Sequence, residues 1–588
     1  MKNKRIQAIA GAFVLTLIAA GILAVYIVKN MPNKNMVEPY DIPQTRLVIG
    51  DKWLKDTAPP FLEGNQIFLP FDTIKKYIDN YIWYDDVLDK VTITTKDRVI
   101  RMKTGSLEAL INERPMELKF SVQRKNDILY VPIDFLDDLY GISLNYIAEN
   151  DVVTIDYNNM VYRTAWPNDA RTYIRTGESI KEPIVKKYKG QGKDELELPR
   201  SSQTSLIVFE ESEEWYRVRT YDGVLGYVKK DEVTISGSQY TIETEEEKKP
   251  PVLTDGKINL VWDMTYSKKN IQLSAEKTPG IDVISPTWFE IIDREGTIKN
   301  RATPEYMEYA HKNGWQVWAL FSNAFSDIEG TSIILNNSDL RQEIIRNVLA
   351  YASIYKLDGI NIDFENIYKS DKDAYTQFVR EFYPLAKEQG LYVSVDVSVP
   401  DGSDTWSKCF DRKALAESVD YVCLMTYDQH WASSPNAGST AELSWVEENL
   451  QKTLTEVPAE KLLLGVPLYT RLWSQSKEDG KLSSVALGVQ SAWSNVEDNE
   501  AVVAWNDVSG QYQTSYEKEG TTYQMWIEDK NAVNMKTSLI HKYDLAGACV
   551  WAANFADENV FMIFERNLKQ VDSYEEWQTY YSEPIMDK

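Results

Sequence analysis

The sequence predicts a multidomain chain whose largest part is an α/β domain, a (β/α)8 barrel with an α+β insertion. Three observations carry that expectation. The chain has 588 residues, and one hydrophobic core rarely grows past about 250 to 300. From residue 258 onward, strand-like runs at 258–262, 283–286, 315–321, 359–365, 392–399, 421–426, 462–467 and 546–551 alternate with helical spacing. Eight such strands in about 320 residues suit a closed barrel better than a doubly wound sheet. Residues 357–366 read Leu-Asp-Gly-Ile-Asn-Ile-Asp-Phe-Glu-Asn, so Ile360, Ile362 and Phe364 alternate with Asn361, Asp363 and Glu365. On a strand the three polar side chains leave one face, with the Cα atoms of Asp363 and Glu365 about 6.5 Å apart. A polar strand face is ordinarily the solvated side of an antiparallel sheet. Here helical patterns over 339–357 and 374–387 flank it. A parallel strand buried on both faces is therefore expected, where a polar trio costs stability unless it has a task.

The elements follow in chain order. Lys2, Lys4 and Arg5 precede an uncharged apolar run over 8–28, long enough to cross a hydrocarbon core of about 30 Å. Residues 1–30 are expected to form a short cytoplasmic start and a transmembrane helix, with the amino terminus inside and the bulk of the chain extracytoplasmic. A cleaved signal peptide is the rival reading. It is disfavoured by the length of the run and by Ala24-Val25-Tyr26, a poor cleavage site. Residues 31–45, with Pro32, Pro39 and Pro43, read as a tether.

Residues 46–157 contain an internal repeat. Phe68-Leu69-Pro70, Tyr84 and Val91-Thr92-Ile93 recur 62 residues later as Tyr130-Val131-Pro132, Tyr146 and Val153-Thr154-Ile155. Two copies are too few for a solenoid and are expected to make one compact α+β domain. Residues 158–236 are strand-rich. They end in a hairpin in which Trp215-Tyr216-Arg217-Val218-Arg219 and Gly226-Tyr227-Val228 flank the turn at Asp222-Gly223. Residues 237–255 carry a charge run closed by Pro250-Pro251 and read as a linker. The barrel is expected over 256–575 with its insertion at about 470–530, and a tail over 576–588.

Net charge is −25 and the isoelectric point about 4.8, which argues against nucleic acid as a partner. Cys423 and Cys549 lie in apolar runs and read as core residues, as in no disulfide framework. His311, His430 and His541 are scattered, so no metal and no cofactor are expected.

Several stretches resemble known families. The proline-plus-helix pattern and closing Val-Thr-Ile strands over 46–157 resemble the amine-oxidase amino-terminal-like domain, which names no catalytic residue here. The Trp215 to Val228 hairpin resembles a bacterial SH3-like domain, a small barrel, implying contact with cell wall peptidoglycan. A β-domain serving only as a spacer is the alternative. Asp358-Gly-Ile-Asn361-Ile-Asp363-Phe-Glu365 resembles the DxxDxDxE signature of glycoside hydrolase family 18, and Met425-Thr426-Tyr427-Asp428 its MxYD. The stretch from Gly465 through Tyr469 and Arg471 to Trp473, and the run Gly547 to Trp551, resemble its seventh- and eighth-strand motifs. The likeness spans about 258–570.

That resemblance implies a TIM barrel and a retaining attack on β-linked N-acetylglucosamine glycans, peptidoglycan or chitin-like, in which the sugar's own acetamido group is the nucleophile. Glu365 would be the acid, Asp363 the holder of the acetamido N–H, and Tyr427 the hydrogen-bond donor to the attacking carbonyl. Asp358, Asn361, Asp428, Tyr469, Arg471 and Trp551 would bind substrate. Asn361 stands where the motif has Asp. It is expected to hydrogen-bond Asp363 but cannot share a proton. The alternative from another class is a non-catalytic, lectin-like wall scaffold.

Overall fold

The computed structural model describes residues 2–40, 42–133, 137–158, 160–190, 196–198, 200–240, 255–265 and 278–583. Most of the expected linker, residues 241–254, and the last residues of the tail lie outside these. Contacts divide the chain into two compact units, one of residues 1–80, 104–107 and 118–248, the other of residues 81–103, 108–117 and 249–588.

The first unit opens with the helix Lys2–Asn30. Its segment Ile9–Asn30 has a mean hydropathy of 2.5, is fully exposed, and is long and apolar enough to cross a membrane. The repeat is visible as strand pairing. Gln66–Pro70 lies antiparallel to Ile128–Pro132, with Phe68 opposite Pro132 and Pro70 opposite Tyr130. The related prolines thus end strands that face each other, and the helix Phe71–Tyr77 follows the first. Residues 162–240 form a seven-stranded antiparallel sheet. Within it Trp215–Thr220 and Leu225–Lys229 make the expected hairpin, with Trp215 opposite Lys229.

The second unit is organised by a closed barrel of eight parallel strands: β1 (Ile258–Asp263), β2 (Val283–Ile291), β3 (Gln316–Ser322), β4 (Gly359–Asp363), β5 (Tyr392–Ser398), β6 (Tyr421–Met425), β7 (Leu462–Pro467) and β8 (Gly547–Trp551). Each strand pairs with the next, and β8 pairs with β1 to close the ring. The strands are nearly continuous apolar runs because both faces are covered. Where β8 meets β1 the backbones approach so closely that a Cβ on Gly547 would lie 2.0 Å from the Ile258 carbonyl oxygen, which leaves room only for glycine.

Helices fill the crossovers: α1 (Pro304–Lys312), α2 (Ile328–Asn336), α3 (Ser338–Tyr355), α4 (Lys372–Glu388), α5 (Arg412–Ala416), α6 (Leu443–Thr453), α7 (Lys530–Lys542) and, after β8, α8 (Glu558–Glu565). Six of these eight helices start with a side-chain cap. Asn337 accepts from the N–H groups of Asp339 and Leu340 at α3, and Asp529 from those of Asn531 and Ala532 at α7. Between β7 and α7 a five-stranded antiparallel sheet runs from Tyr469 to Ile527, interrupted by the helix Val489–Asp498.

The middle of the 46–157 segment departs from the single compact domain expected there. Its five-stranded antiparallel sheet, Trp83–Asp85 to Arg114–Glu117, groups with the barrel. Arg101 reaches into the helix layer, where Glu381 on α4 takes 3.0 Å and 2.8 Å bonds from Arg101 and Arg341. Gln377 donates to Glu381 at 2.9 Å and to Thr94 at 3.1 Å. The Asp85 carboxylate accepts from the Ser338 N–H at 2.9 Å. The middle of the first repeat thus has surroundings that the second does not share.

Candidate active site

Strand β4 ends at Asp363, two residues earlier than the alternation predicts. Alternation nonetheless persists to Phe364. Ile360, Ile362 and Phe364 are fully buried in the layer between strands and helices, and the Phe364 ring packs 5.2 Å from both Phe321 and Phe378. The polar residues therefore turn to the barrel interior.

Asn361 sits at its centre. The Trp262 indole N–H donates to Asn361 Oδ1 at 2.7 Å and Ser285 Oγ to the same oxygen at 3.3 Å. Its Nδ2 donates to Ser394 Oγ at 2.9 Å and to Asp396 Oδ1 at 2.6 Å. These partners come from β1, β2 and β5. The expected hydrogen bond from Asn361 to Asp363 is not made, because the amide is already occupied deeper in the barrel. Nor is Asn361 open to substrate, being wholly buried.

Asp363 Oδ1 is buried without a hydrogen-bond partner among the described residues. Burial, and then the charge of Asp396, push this carboxyl well above the usual range. Glu365 is raised well above its ordinary value too, by burial first and then by the charges of Asp363 and Asp428. The Glu365 backbone is held from both sides by one residue. Its N–H donates to Asn323 Oδ1 at 2.9 Å, and Asn323 Nδ2 donates back to its carbonyl at 2.8 Å. Asn323 follows β3 and is tied in turn to Thr331 on α2 at 3.0 Å. A rigid main chain thus replaces the strand where β4 stops.

The other rim residues come from three further strand ends. Tyr427 follows β6. Its phenol is held protonated foremost by burial, and then by the charges of Cys549, Asp396, Asp363 and Glu365. Asp428, next in sequence, has φ 56°, a left-handed conformation that non-glycine residues adopt at a cost. It is fixed there by Tyr469 Oη at 2.6 Å and Arg471 Nη2 at 2.7 Å. The Arg471 guanidinium lies 5.3 Å from the centre of the Tyr469 ring. Trp551 ends β8, with its ring 5.8 Å from that of Trp262.

Asp358 requires a correction. It precedes β4, at the opposite end of the strand from Glu365. It accepts from the Val317 N–H and pairs with His311 of α1, both at 2.8 Å. It fastens the amino-terminal end of the strand, away from Glu365 and Asp428. Three residues escaped the sequence reading. Asp396 had a detectable signal, since Ser394, Asp396 and Ser398 alternate with Val393, Val395 and Val397. Asn323 and Trp262 had none, because they act through a backbone and an amide brought near only by barrel closure.

The family model for glycosyl hydrolases family 18 matches residues 289–556. Over that stretch, somewhat under half of the chain, the barrel is similar to the glycosyl hydrolases of family 18. A second model, the copper amine oxidase N-terminal domain, matches residues 48–155. The chain is 27% identical over 292 residues to the uncharacterized glycosylase YvbX of Bacillus subtilis, covering 47% of this chain and 82% of that protein. It is 29% identical over 237 residues to the cortical fragment-lytic enzyme of the same organism, covering 40% of this chain and 54% of that enzyme. Thus the chain spans about half the length of that second relative. Among solved structures, the spore cortex-lytic enzyme SleL of Bacillus megaterium aligns with 22% identity and a TM-score of 0.49, over 57% of this chain and 77% of that one.

Proposed function

We propose that the protein is a membrane-tethered, extracytoplasmic β-N-acetylglucosaminidase that hydrolyses cell wall glycan by a retaining, substrate-assisted mechanism. The observation that carries this reading is Glu365, a half-buried carboxyl beside Asp363 just past the carboxyl end of a barrel strand, with its pKa raised by desolvation and by the Asp363 and Asp428 charges. Glu365 gives its proton to the glycosidic oxygen as the bond to the anomeric carbon breaks. The carbonyl oxygen of the sugar's acetamido group attacks that carbon from the other face, forming an oxazolinium-like intermediate. Asp363 accepts the acetamido N–H and offsets the developing positive charge. Tyr427 donates its phenolic proton in a hydrogen bond to the attacking oxygen. Water then opens the ring, with the Glu365 carboxylate taking its proton.

Asp428, fixed by Tyr469 and Arg471, is placed to hold sugar hydroxyls, and Trp551 to lie under the ring. Phe325, Tyr368, Trp406 and Trp431, in the loops after β3, β4, β5 and β6, are each at least 36% exposed and offer flat apolar faces suited to stacking on sugar rings. The helix Lys2–Asn30 supports the tether, and the seven-stranded sheet supports an SH3-like wall contact. A relative named as a cortical fragment-lytic enzyme supports peptidoglycan over chitin as the glycan.

Mass spectrometry of products from defined peptidoglycan strands, run beside chitooligosaccharides, tests the assignment. Fragments cleaved after N-acetylglucosamine are expected, and no turnover of either glycan would sink it. The Asn323 clamp gives a second test. Asn323→Ala is expected to lower kcat by roughly tenfold or more with little change in KM, because a loosened acid reaches the glycosidic oxygen less often. A change confined to KM would show that the clamp serves binding instead.

A further inference from the structure

Deep in the barrel lies a carboxyl that the proposed chemistry leaves unused. Asp396 stands on β5, 1% exposed, and accepts the 2.6 Å hydrogen bond from Asn361 Nδ2. Asn361 cannot turn away, because its oxygen is engaged by Trp262 and Ser285 and its nitrogen also by Ser394. In the parallel β4–β5 ladder Asn361 pairs with Ser394 and Ile362 with Val395, so Asp363 and Asp396 follow as neighbours on adjacent strands, and Asp363 buries an oxygen with no hydrogen-bond partner among the described residues.

The titratable groups that interact with Asp396 are Asp363, Glu365, Cys423 on β6, Cys549 on β8, Tyr427 after β6 and Tyr375 on α4. All are neutral or anionic. Two buried carboxyls on adjacent strands resist ionising together. Burial above all pushes Asp396 well above the usual range, and the thiol of Cys423 adds to it.

We propose that Asp396 is a positioning residue that shares one proton with Asp363, receiving it when Asp363 must become anionic and returning it afterwards. The inference rests on the reading of Asp363 as the group that faces the acetamido N–H. Before substrate binds, the proton resides on Asp363, and the Asp396 carboxylate is supported by the Asn361 amide. When the acetamido N–H arrives, the proton passes to Asp396 and the negative charge to Asp363. No proton enters or leaves the pair, so the barrel interior keeps the same net charge throughout.

The test uses the full chain. Asp396→Asn retains the shape of the side chain and removes its ionisation. In a Glu365→Gln background, where the proton of Glu365 is absent, infrared titration follows the protonated carboxyl stretch. The last proton of the Asp363–Asp396 pair is expected to leave at a pH lower by about one unit or more once Asn stands at 396. With Glu365 intact, kcat on a fluorogenic N-acetylglucosaminide is expected to fall roughly tenfold or more with KM little changed. The exchange variant Asn361→Asp with Asp396→Asn preserves the amide-to-carboxyl hydrogen bond with its ends reversed. It should restore the titration and most of the rate, and it serves as the deciding variant if the single substitution does not fold. An unchanged infrared titration in Asp396→Asn, or an exchange variant no better than the single one, overturns the proposal. The infrared result stands whether or not the protein cleaves any glycan. Failure of the glycosidase reading shows separately, as hydrolysis that survives Glu365→Gln.

Discussion

Glu365→Gln is expected to lower kcat on an N-acetylglucosaminide by roughly 100-fold or more while substrate affinity stays near that of the wild type. The substitution keeps the size and hydrogen-bonding edge of the side chain and removes only the transferable proton. The pH dependence carries the sign of the same group. Glu365 acts when protonated, and burial with the Asp363 and Asp428 charges raises its pKa, so the rate should fall as pH rises through that raised value. Stability follows in parallel. A carboxyl whose folded pKa lies above its ordinary value of 4.5 contributes stability at low pH that is lost as pH rises from there toward the folded value. The Gln variant lacks that loss, so its melting temperature should exceed the wild type's by a margin that widens over this range. Equal, near-zero hydrolysis in both proteins with the same sugar affinity would instead favour a lectin-like scaffold.

Glu381→Ala is expected to destabilise the protein by about 3 to 5 kcal/mol, read as a lower denaturant midpoint. The Glu381 and Arg341 side chains are both fully buried, and the Arg101 side chain is 5% exposed. Removing the one carboxylate that faces both guanidiniums leaves the fully buried Arg341 without a carboxylate partner among the described residues, while Arg101 keeps Glu113. Burial pushes the Glu381 pKa up, but Arg341, Arg101 and the Gln377 amide outweigh it and hold the group below its ordinary value. The pair's stabilisation is therefore present above the ordinary carboxylate range and is lost as pH falls through the folded value. The difference between wild type and variant should shrink on acidification. A loss below about 1 kcal/mol at neutral pH would mean that the triad is solvated like a surface ion pair.

Both residues illustrate what a linear reading can reach. Glu365 was legible because strand alternation and the flanking helices fix which face is buried and which end of the strand meets the rim. Glu381 was not, since one acid on an amphipathic helix looks like any solvated residue until Arg101, far away in sequence, is placed against it. Asp358 shows the converse. It belongs to the same run as Asp363 and Glu365, yet the length of β4 carries it to the far end of the barrel, where it binds His311 and the Val317 N–H.

By itself the sequence determined the eight barrel strands, the repeat at 46–157, the apolar amino-terminal helix and the local pairing of Asp363 with Glu365, all of them consequences of short-range periodicity and hydrophobic burial. Only the tertiary structure decided which polar groups meet. It stopped β4 at Asp363 and gave Glu365 to Asn323, turned Asn361 away from Asp363 and toward Asp396, and set the first repeat's Arg101 on Glu381. Those contacts join segments separated by tens to hundreds of residues, and strand pairing and packing in the tertiary fold, which no local pattern encodes, bring them within hydrogen-bonding distance.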